Sequence, residues 1–385
     1  MYAVARLDGV GERVMQAVLY MASASFYNLR FGGFVYKESY DTGHHTHGMA
    51  AADTLHLMTE YMGSNFSALR LRVPNPRFDH CWRGGLEEGD KFNFVAGETA
   101  LINDDCTGLH ERKDLFLLNQ PFLQRLRQST TLLDRPTKYF TAGKGQLRIA
   151  IHLRRGDILH TTRDWWPGPD RLVPDAIYVG LLSLLRGMFG PAEIHVFSTS
   201  SSNFPNASFN RFRQPGVHVH LDGDILDDWA HMAQADILAV APSGFSWVAG
   251  LLNSRCVVTF KAFPWGYLPR WIQLNDDFRQ AGQLRSCIRD KGLLPREKNG
   301  SSCFVALTEQ AVYKFSGASM SLLASETHAK VAAVQSSLSA VESHLAPLLA
   351  KNPKEVARHL GALENAELQA RVRSLRNMKI KLAVD

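Results

Sequence analysis

The sequence of 385 residues contains no run approaching the roughly 18 to 20 consecutive apolar residues that a membrane-spanning helix requires. Its best apolar segment, Val14 to Tyr27, is broken by Gln16, Ser23 and Ser25 and follows a glycine turn. That suits a core helix and excludes a secretory signal there. A trimmed form of an anchored protein and a soluble cytoplasmic enzyme both stay open. Cysteine is scarce: Cys81, Cys106, Cys256, Cys287 and Cys303 form no CxxC pair and no Cys/His spacing suited to structural zinc. The odd count leaves one unpaired if the others bridge. The closeness of Cys287 and Cys303 suggests a local loop-closing disulfide. A strong charge excess is also missing from the body. Of the net +6, the segment from Lys351 to Asp385 supplies +4, with eight basic residues against four acidic. The near-neutral remainder implies no basic surface for nucleic acid.

What is present is ordinary globular material, with 45% hydrophobic and 21% charged residues, which excludes wholesale disorder. The length suggests two domains and an appendage. Tyr2 to Leu7 suits a buried strand, Asp8-Gly-Val-Gly11 a tight turn, Glu12 to Leu29 a helix and Gly33 to Tyr36 the next strand. Residues 40 to 145 are less regular. From Leu147 the alternation becomes clear. Strands are expected at Leu147–His152, Glu193–Phe197, Val217–Leu221, Asp236–Val240 and Cys256–Phe260. Helices are expected at Asp175–Gly187, Leu226–Ala235 and Phe245–Leu252. Such alternation implies a parallel sheet covered on both faces, with ligands bound outside the carboxyl ends of its strands.

Toward the end, Val331, Val334, Leu338, Val341, Leu345 and Leu348 are spaced three and four apart, as in a helical seam that Pro347 interrupts. Packing against the body and self-association through these helices are both open readings. The resulting division is 1–145, 146–315 and a helical tail at 316–385. Three Asn-x-Ser sequons, at Asn65, Asn206 and Asn299, lean toward a secretory setting. His44-His-Thr-His47 reads more simply as an exposed polar loop than as a metal site.

Two segments carry chemistry. In Ile149-Ala-Ile-His152-Leu-Arg154-Arg155-Gly156-Asp157, two arginines directly after a buried strand can grip a diphosphate through planar, bidentate hydrogen bonds. Gly156 lets backbone approach a ligand, and Asp157 can orient an arginine or a sugar hydroxyl. A salt-bridged strand end is the plainer alternative. The second segment runs from Asp227-Asp228-Trp through Ala241-Pro-Ser243-Gly244-Phe245-Ser246. A carboxylate opening a helix can accept paired N–H bonds from guanine, and a small-residue turn at a helix start suits a phosphate. The plainer reading of Ser243 is a helix cap. The turn with Gly9 and Gly11 favours anions in the same way, more weakly.

Taken together and in this order, these segments resemble the donor motifs of the GDP-fucose fucosyltransferases. The α-1,2 enzymes are the closest, and the α-1,6 and protein O-fucosyltransferases also resemble this chain. Ile151-His-Leu-Arg-Arg-Gly-Asp157 resembles their first motif, and Ile237-Leu-Ala-Val-Ala-Pro-Ser243-Gly-Phe-Ser-Trp-Val-Ala-Gly-Leu-Leu252 the second. Asp8-Gly-Val-Gly-Glu-Arg13 resembles the glycine turn that opens their first domain. The resemblance covers residues 1–36 and 147–272. It implies an α/β, GT-B-like fold, with two Rossmann-like domains facing a cleft and the helical tail appended. It also implies an inverting, metal-independent transfer of fucose from GDP-β-L-fucose to a glycan acceptor in the Golgi or secretory pathway, with no cofactor.

The resemblance further places Arg154 on the β-phosphate with His152, Arg155 and Asp157 around it. Asp228 would read guanine, and Ser243, Gly244, Phe245 and Ser246 would form the phosphate turn. Asp8, Glu12, Asp157 and His160 are the candidates for a catalytic base, with Asp8 and Asp157 preferred. Two departures stand out. The run His195-Val-Phe-Ser-Thr-Ser-Ser201 lacks the family's strand-end aspartates, and Ile158 replaces a basic residue of the α-1,6 enzymes, arguing against that linkage.

Overall fold

The computed structural model describes residues 2–4, 9–26, 28–35, 51–63, 70–71, 80–83, 100–103, 119–141, 146–156, 172–190, 192–260, 268–274 and 278–293. Asp8, Asp157, His160, His44–His47, Cys303, Asn65, Asn299 and the tail from 316 lie outside them.

Two parallel sheets organise the chain. The first holds β1 (Tyr2–Val4), β2 (Gly33–Val35), β3 (Arg70–Leu71), β4 (His80–Arg83) and β5 (Ala100–Asn103), in the order β3-β2-β1-β5-β4. The second holds β6 (Leu147–His152), β7 (Ala192–Ser198), β8 (Val217–Leu221), β9 (Ile237–Val240), β10 (Cys256–Phe260) and β11 (Ile272–Leu274). Its order, β8-β7-β6-β9-β10-β11, is the doubly wound Rossmann order, in which the strand order reverses between β6 and β9. Every pairing is parallel. The helices are α1 (Val10–Phe26), α2 (Ala51–Met62), α3 (Gln120–Ser129), α4 (Asp175–Phe189), α5 (Ile225–Gln234), α6 (Gly244–Leu252) and α7 (Ala281–Asp290). The second sheet is the covered parallel sheet that the strand–helix alternation implies, and the presence of two parallel α/β sheets agrees with the fold that the resemblance implies.

The side-chain period of two divides the second sheet's residues between two cores. Ala150, Phe197, Leu238, Val240 and Val257 pack with α1, α2, α3, α5 and α6. Ile149, Ile151, Val196, Ala239 and Val258 pack on the opposite face with α4, α7 and a 3-10 helix, Asn206–Phe212. The first core is shared by both sheets' helices, and α1 is buried nearly all round, from Gly11 to Ala24. That explains why the apolar stretch at 14–27 has no polar face, as a helix enclosed on all sides needs none. Polar contacts tie the two units across this core. Tyr61 donates to Val248 O at 2.8 Å and Arg127 Nη2 to Leu251 O at 2.6 Å, while within the first unit Asn119 Nδ2 donates to Ala22 O at 2.9 Å.

The expected Cys287–Cys303 bridge is corrected: Cys287 pairs with Cys256, at a Cα–Cα distance of 6.0 Å. Cys256 opens β10 in the lower core, and α7 lies over that face with Cys287 against the same core. Parallel packing therefore brings together two cysteines 31 positions apart. Among the described residues, no helix is long and apolar enough to cross a membrane.

Candidate functional site

The carboxyl ends of β6 and β9 form the switch point of the second sheet, where a doubly wound fold places its ligand. The strand end at β6 is pinned. Leu153 N donates to Phe197 O at 2.9 Å, and Ser198 Oγ donates to Leu153 O at 2.8 Å. Arg154 follows immediately and is partly exposed. Gly156 then adopts φ +57°, a left-handed conformation that few side chains tolerate and that turns the chain off the sheet.

The two arginines take different places. Arg155 is 3% exposed and turned into the protein. It pairs with Asp175 and donates to Arg154 O at 2.7 Å and to Val173 O at 3.2 Å. Its guanidinium also lies over the rings of Tyr178 and Phe204. Asp175 is gripped in addition by Arg211 at 3.2 Å. The salt-bridged strand end is therefore Arg155's arrangement. A side chain so engaged fixes the backbone that carries Arg154.

His152 ends β6 at 6% exposure, its ring 5.3 Å from that of Phe245. Burial, reinforced by the charges of Arg154 and Arg155, pulls its pKa down to about 3, so the imidazole is neutral. Its Nδ1 is buried with no hydrogen-bond partner among the described residues. An orphaned polar atom of this kind is costly unless something meets it.

Across the switch point, Ser243 caps α6, its Oγ accepting from Phe245 N at 3.3 Å. Ser246 Oγ is spent on Ala241, accepting from its N–H at 3.1 Å and donating to its carbonyl at 3.2 Å. Both hydroxyls thus shape the turn. The turn's attraction for an anion lies in the first-turn N–H groups and the helix dipole, which have no intrahelical carbonyl to answer them. Trp229 Nε1 holds Phe245 O at 2.9 Å and fixes that turn to α5.

The N-terminus of α1 meets this turn directly. A Cβ on Gly11 would lie 2.4 Å from Phe245 N, and one on Gly244 would lie 3.0 Å from Glu12 Oε2. Only paired glycines allow two helix starts to approach so closely. Because α1 follows β1 and α6 follows β9, the contact brings the carboxyl edges of both sheets to one place. Gly9 O accepts from Glu12 N and Arg13 N, closing the first turn of α1. Glu12 is the described carboxylate at this junction, and its neighbour Arg13 is 3% exposed.

Asp228 lies within the first turn of α5, not ahead of it, because the helix starts at Ile225. The cap is Asp224, whose side chain accepts from Asp227 N at 3.0 Å. Asp227 pairs with Arg135 at 2.8 Å and with Lys138. Asp228 itself is 6% exposed, and its Oδ1 has no hydrogen-bond partner among the described residues. A Cβ on Gly223 would come within 2.8 Å of that oxygen, so only glycine there leaves room for the carboxyl. Burial, with Asp224 and Asp227 nearby, pushes its pKa up to about 7. Sequence reasoning gave no sign of the Gly223 contact; the glycine set between Asp222 and Asp224 was the available signal. Asp222 stands at φ +57° and accepts from Ser200 N at 3.0 Å and Ser200 Oγ at 2.5 Å, past the ends of β7 and β8. A carboxylate is thus present near the place where the strand-end aspartates are missing.

Behind the site, residues 137–141 lie over β7 and β8. Tyr139 stacks on His220 at 4.0 Å and on His231 at 4.5 Å, and His195 Nδ1 bonds His220 Nε2 at 2.8 Å. His231 Nε2 accepts from Tyr139 N at 2.8 Å. His195 Nε2 lies 3.2 Å from Glu193 Oε1 but out of hydrogen-bond alignment. Among the described residues, no group of three or more His, Cys, Asp or Glu side chains is placed to hold a metal.

No family model and no curated protein matches the sequence. Among solved structures, the chain is similar to E. coli heptosyltransferase WaaC with ADP, at 11% identity over 75% of this chain and 98% of that one, TM-score 0.38. It is also similar to POFUT1 in complex with GDP-fucose, at 12% identity over 71% and 96%, TM-score 0.36. A third is the family 9 glycosyl transferase from Veillonella parvula DSM 2008, at 12% identity over 83% and 96%, TM-score 0.37. Likeness of this degree assigns no ligand and no residue role, so the reading of the site rests on its own geometry.

Proposed function

We propose that the chain is an inverting glycosyltransferase that moves L-fucose from GDP-β-L-fucose to a hydroxyl of a glycan acceptor, giving an α-fucoside. The observation that carries this reading is the convergence at the switch point. There a pinned strand end presents Arg154, and two helix N-termini touch through Gly11 and Gly244. The acceptor oxygen attacks the anomeric carbon, the bond to the β-phosphate oxygen breaks with its electron pair leaving on GDP, and the acceptor proton passes to a base. Arg154 and the first-turn N–H groups of α6 stabilise the charge gathering on GDP, which removes the need for a divalent ion. Arg155 acts as a positioning residue, through its grip on Asp175 and Arg154 O.

In the same proposal, Asp228 reads guanine and the neutral His152 meets the donor through Nδ1. Ser243 and Ser246 hold the turn. Glu12, at the junction of the two helix starts, takes the acceptor proton. Asp8 and Asp157, the other carboxylates considered for this role, lie outside the described residues. A screen of nucleotide sugars against a mixed glycan array, in excess EDTA, tests the whole reading. Fucose transfer from GDP-fucose is the expected result, and strict dependence on manganese or magnesium overturns it. Transfer from a different nucleotide sugar would favour a second reading, which the geometry supports in one respect. Arg154 and the helix start serve any diphosphate, and only Asp228 speaks for guanine.

A further inference from the structure

We propose that Asn206 is an N-glycosylation site, and that the chain matures in the oxidising lumen where such glycans are added. Of the three sequons, Asn206-Ala-Ser208 is the one within the described residues, and position 207 carries no blocking proline. Asn206 opens the 3-10 helix that follows the loop after β7, and both Asn206 and Ala207 are exposed. The same helix is anchored from beneath by Phe209 and Phe212, each 1% exposed, so a modification on its first residue leaves the core untouched. Arg213 Nη2 donates to Asn206 Oδ1 at 2.6 Å. That bond occupies the amide oxygen and leaves Nδ2, the atom that takes the sugar, without a partner among the described residues.

A separate observation points to the same compartment. The Cys256–Cys287 disulfide joins β10 to α7, and such bonds persist where thiols are not kept reduced. The two features share no residues and lie on different elements. The modifying step needs a co-substrate of one class, an oligosaccharide carried on a polyprenyl diphosphate. Asn206 Nδ2 forms a bond to its anomeric carbon, the carbon–oxygen bond to the diphosphate breaks with its electron pair, and the amide proton passes to a base of the transferring enzyme. This inference stands whatever donor the chain itself uses.

The test is peptide mapping of the full chain purified from its own cells, digested without reduction. Treatment with a peptide N-glycosidase should convert Asn206 to aspartate and increase the protein's mobility on a gel. In a parent chain whose Asn65 and Asn299 are both replaced by glutamine, the mobility change should be lost in Asn206→Gln and in Ser208→Ala but kept in Ser208→Thr, because transfer requires a hydroxyl at the third position. The peptides bearing Cys256 and Cys287 should separate only after reduction. An unmodified Asn206 throughout the native protein overturns the modification, and a free Cys287 thiol overturns the compartment.

Discussion

Replacing Asp228 with asparagine should make the protein more stable and less selective at the same time. The carboxyl of Asp228 is buried, its Oδ1 has no hydrogen-bond partner among the described residues, and its pKa is raised from 3.8 to about 7. The folded protein therefore holds this proton more tightly than the unfolded chain does. Its stability falls as pH rises from about 4 to about 7 and levels off above that. A shift of about three units corresponds to roughly 4 kcal/mol once the group is fully ionised. Asp228→Asn removes that cost, so its advantage over the parent should grow from near zero at about pH 3.5 to several kcal/mol at about pH 8. Binding has the opposite interest. Guanine's N1 and N2 donors require the carboxylate, whose population falls about tenfold between pH 8 and pH 6, so GDP affinity should fall by about the same factor. UDP carries the same titrating phosphates, so the ratio of GDP to UDP affinity isolates the base. Calorimetric titration of both nucleotides at three pH values, with urea melts of parent and variant alongside, measures everything needed. A variant no more stable than the parent at pH 8, with its nucleotide ratio intact, would refute the reasoning.

Arg154→Ala should leave the fold in place and lower transfer by about a hundredfold or more, roughly 3 to 4 kcal/mol, as single-turnover kinetics would show. Near-normal turnover would remove Arg154 from the mechanism. Gly11→Ala places a Cβ 2.4 Å from Phe245 N, backbone against backbone. It should force the two helix starts apart and cost donor affinity and thermal stability together, a coupling absent if the contact is idle. His195 and His220 are each lowered to about 4, mainly by burial. Their contribution is complete above about pH 6.5 and is lost as pH falls toward 4, about 2 kcal/mol for His195 at pH 5. Replacing His195 by phenylalanine should flatten that limb of the stability profile. Reducing Cys256–Cys287, which spans 31 positions, should lower the unfolding free energy by about 3 to 4 kcal/mol in urea melts.

The second sheet was readable because its inner strands are buried on both faces and bounded by turns. Leu147–His152 and Cys256–Phe260 have the bounds expected, and the edge strand Val217–Leu221 shows instead the alternation of Val-His-Val-His-Leu. The strands between residues 70 and 103 are two to four residues long and were not legible, since so short an element has no period to show. Disulfide pairing failed for a related reason: nearness in sequence says little about nearness across a parallel sheet. At the site, the motif residues stand where the strand ends place them, yet their individual tasks were hidden. Nothing in Arg154-Arg155 distinguishes the side chain turned toward Asp175 from its neighbour. The difference arises from packing by Tyr178 and Phe204, residues far along the chain.

The buried polar groups around the switch point differ in what answers them. Asp227, Ser243, Ser246 and Arg155 are all at or near the site, and each is answered by protein partners that stabilise the fold. Among the described residues His152 Nδ1 and Asp228 Oδ1 have no such partner, and the same holds for Tyr178 Oη and Thr259 Oγ1. Each unmet group costs about 1 to 3 kcal/mol or more. Hydrophobic replacement at such a place would relieve it, whereas a ligand with a matching donor or acceptor would relieve it only when bound. Energy recovered on binding in this way discriminates among ligands more sharply than contact area does, because a ligand lacking the matching group leaves the cost in place. In the proposed function the site would thus be selective at two points of its ligand, the base at Asp228 and the sugar-phosphate end at His152, with Arg154 supplying affinity common to any diphosphate.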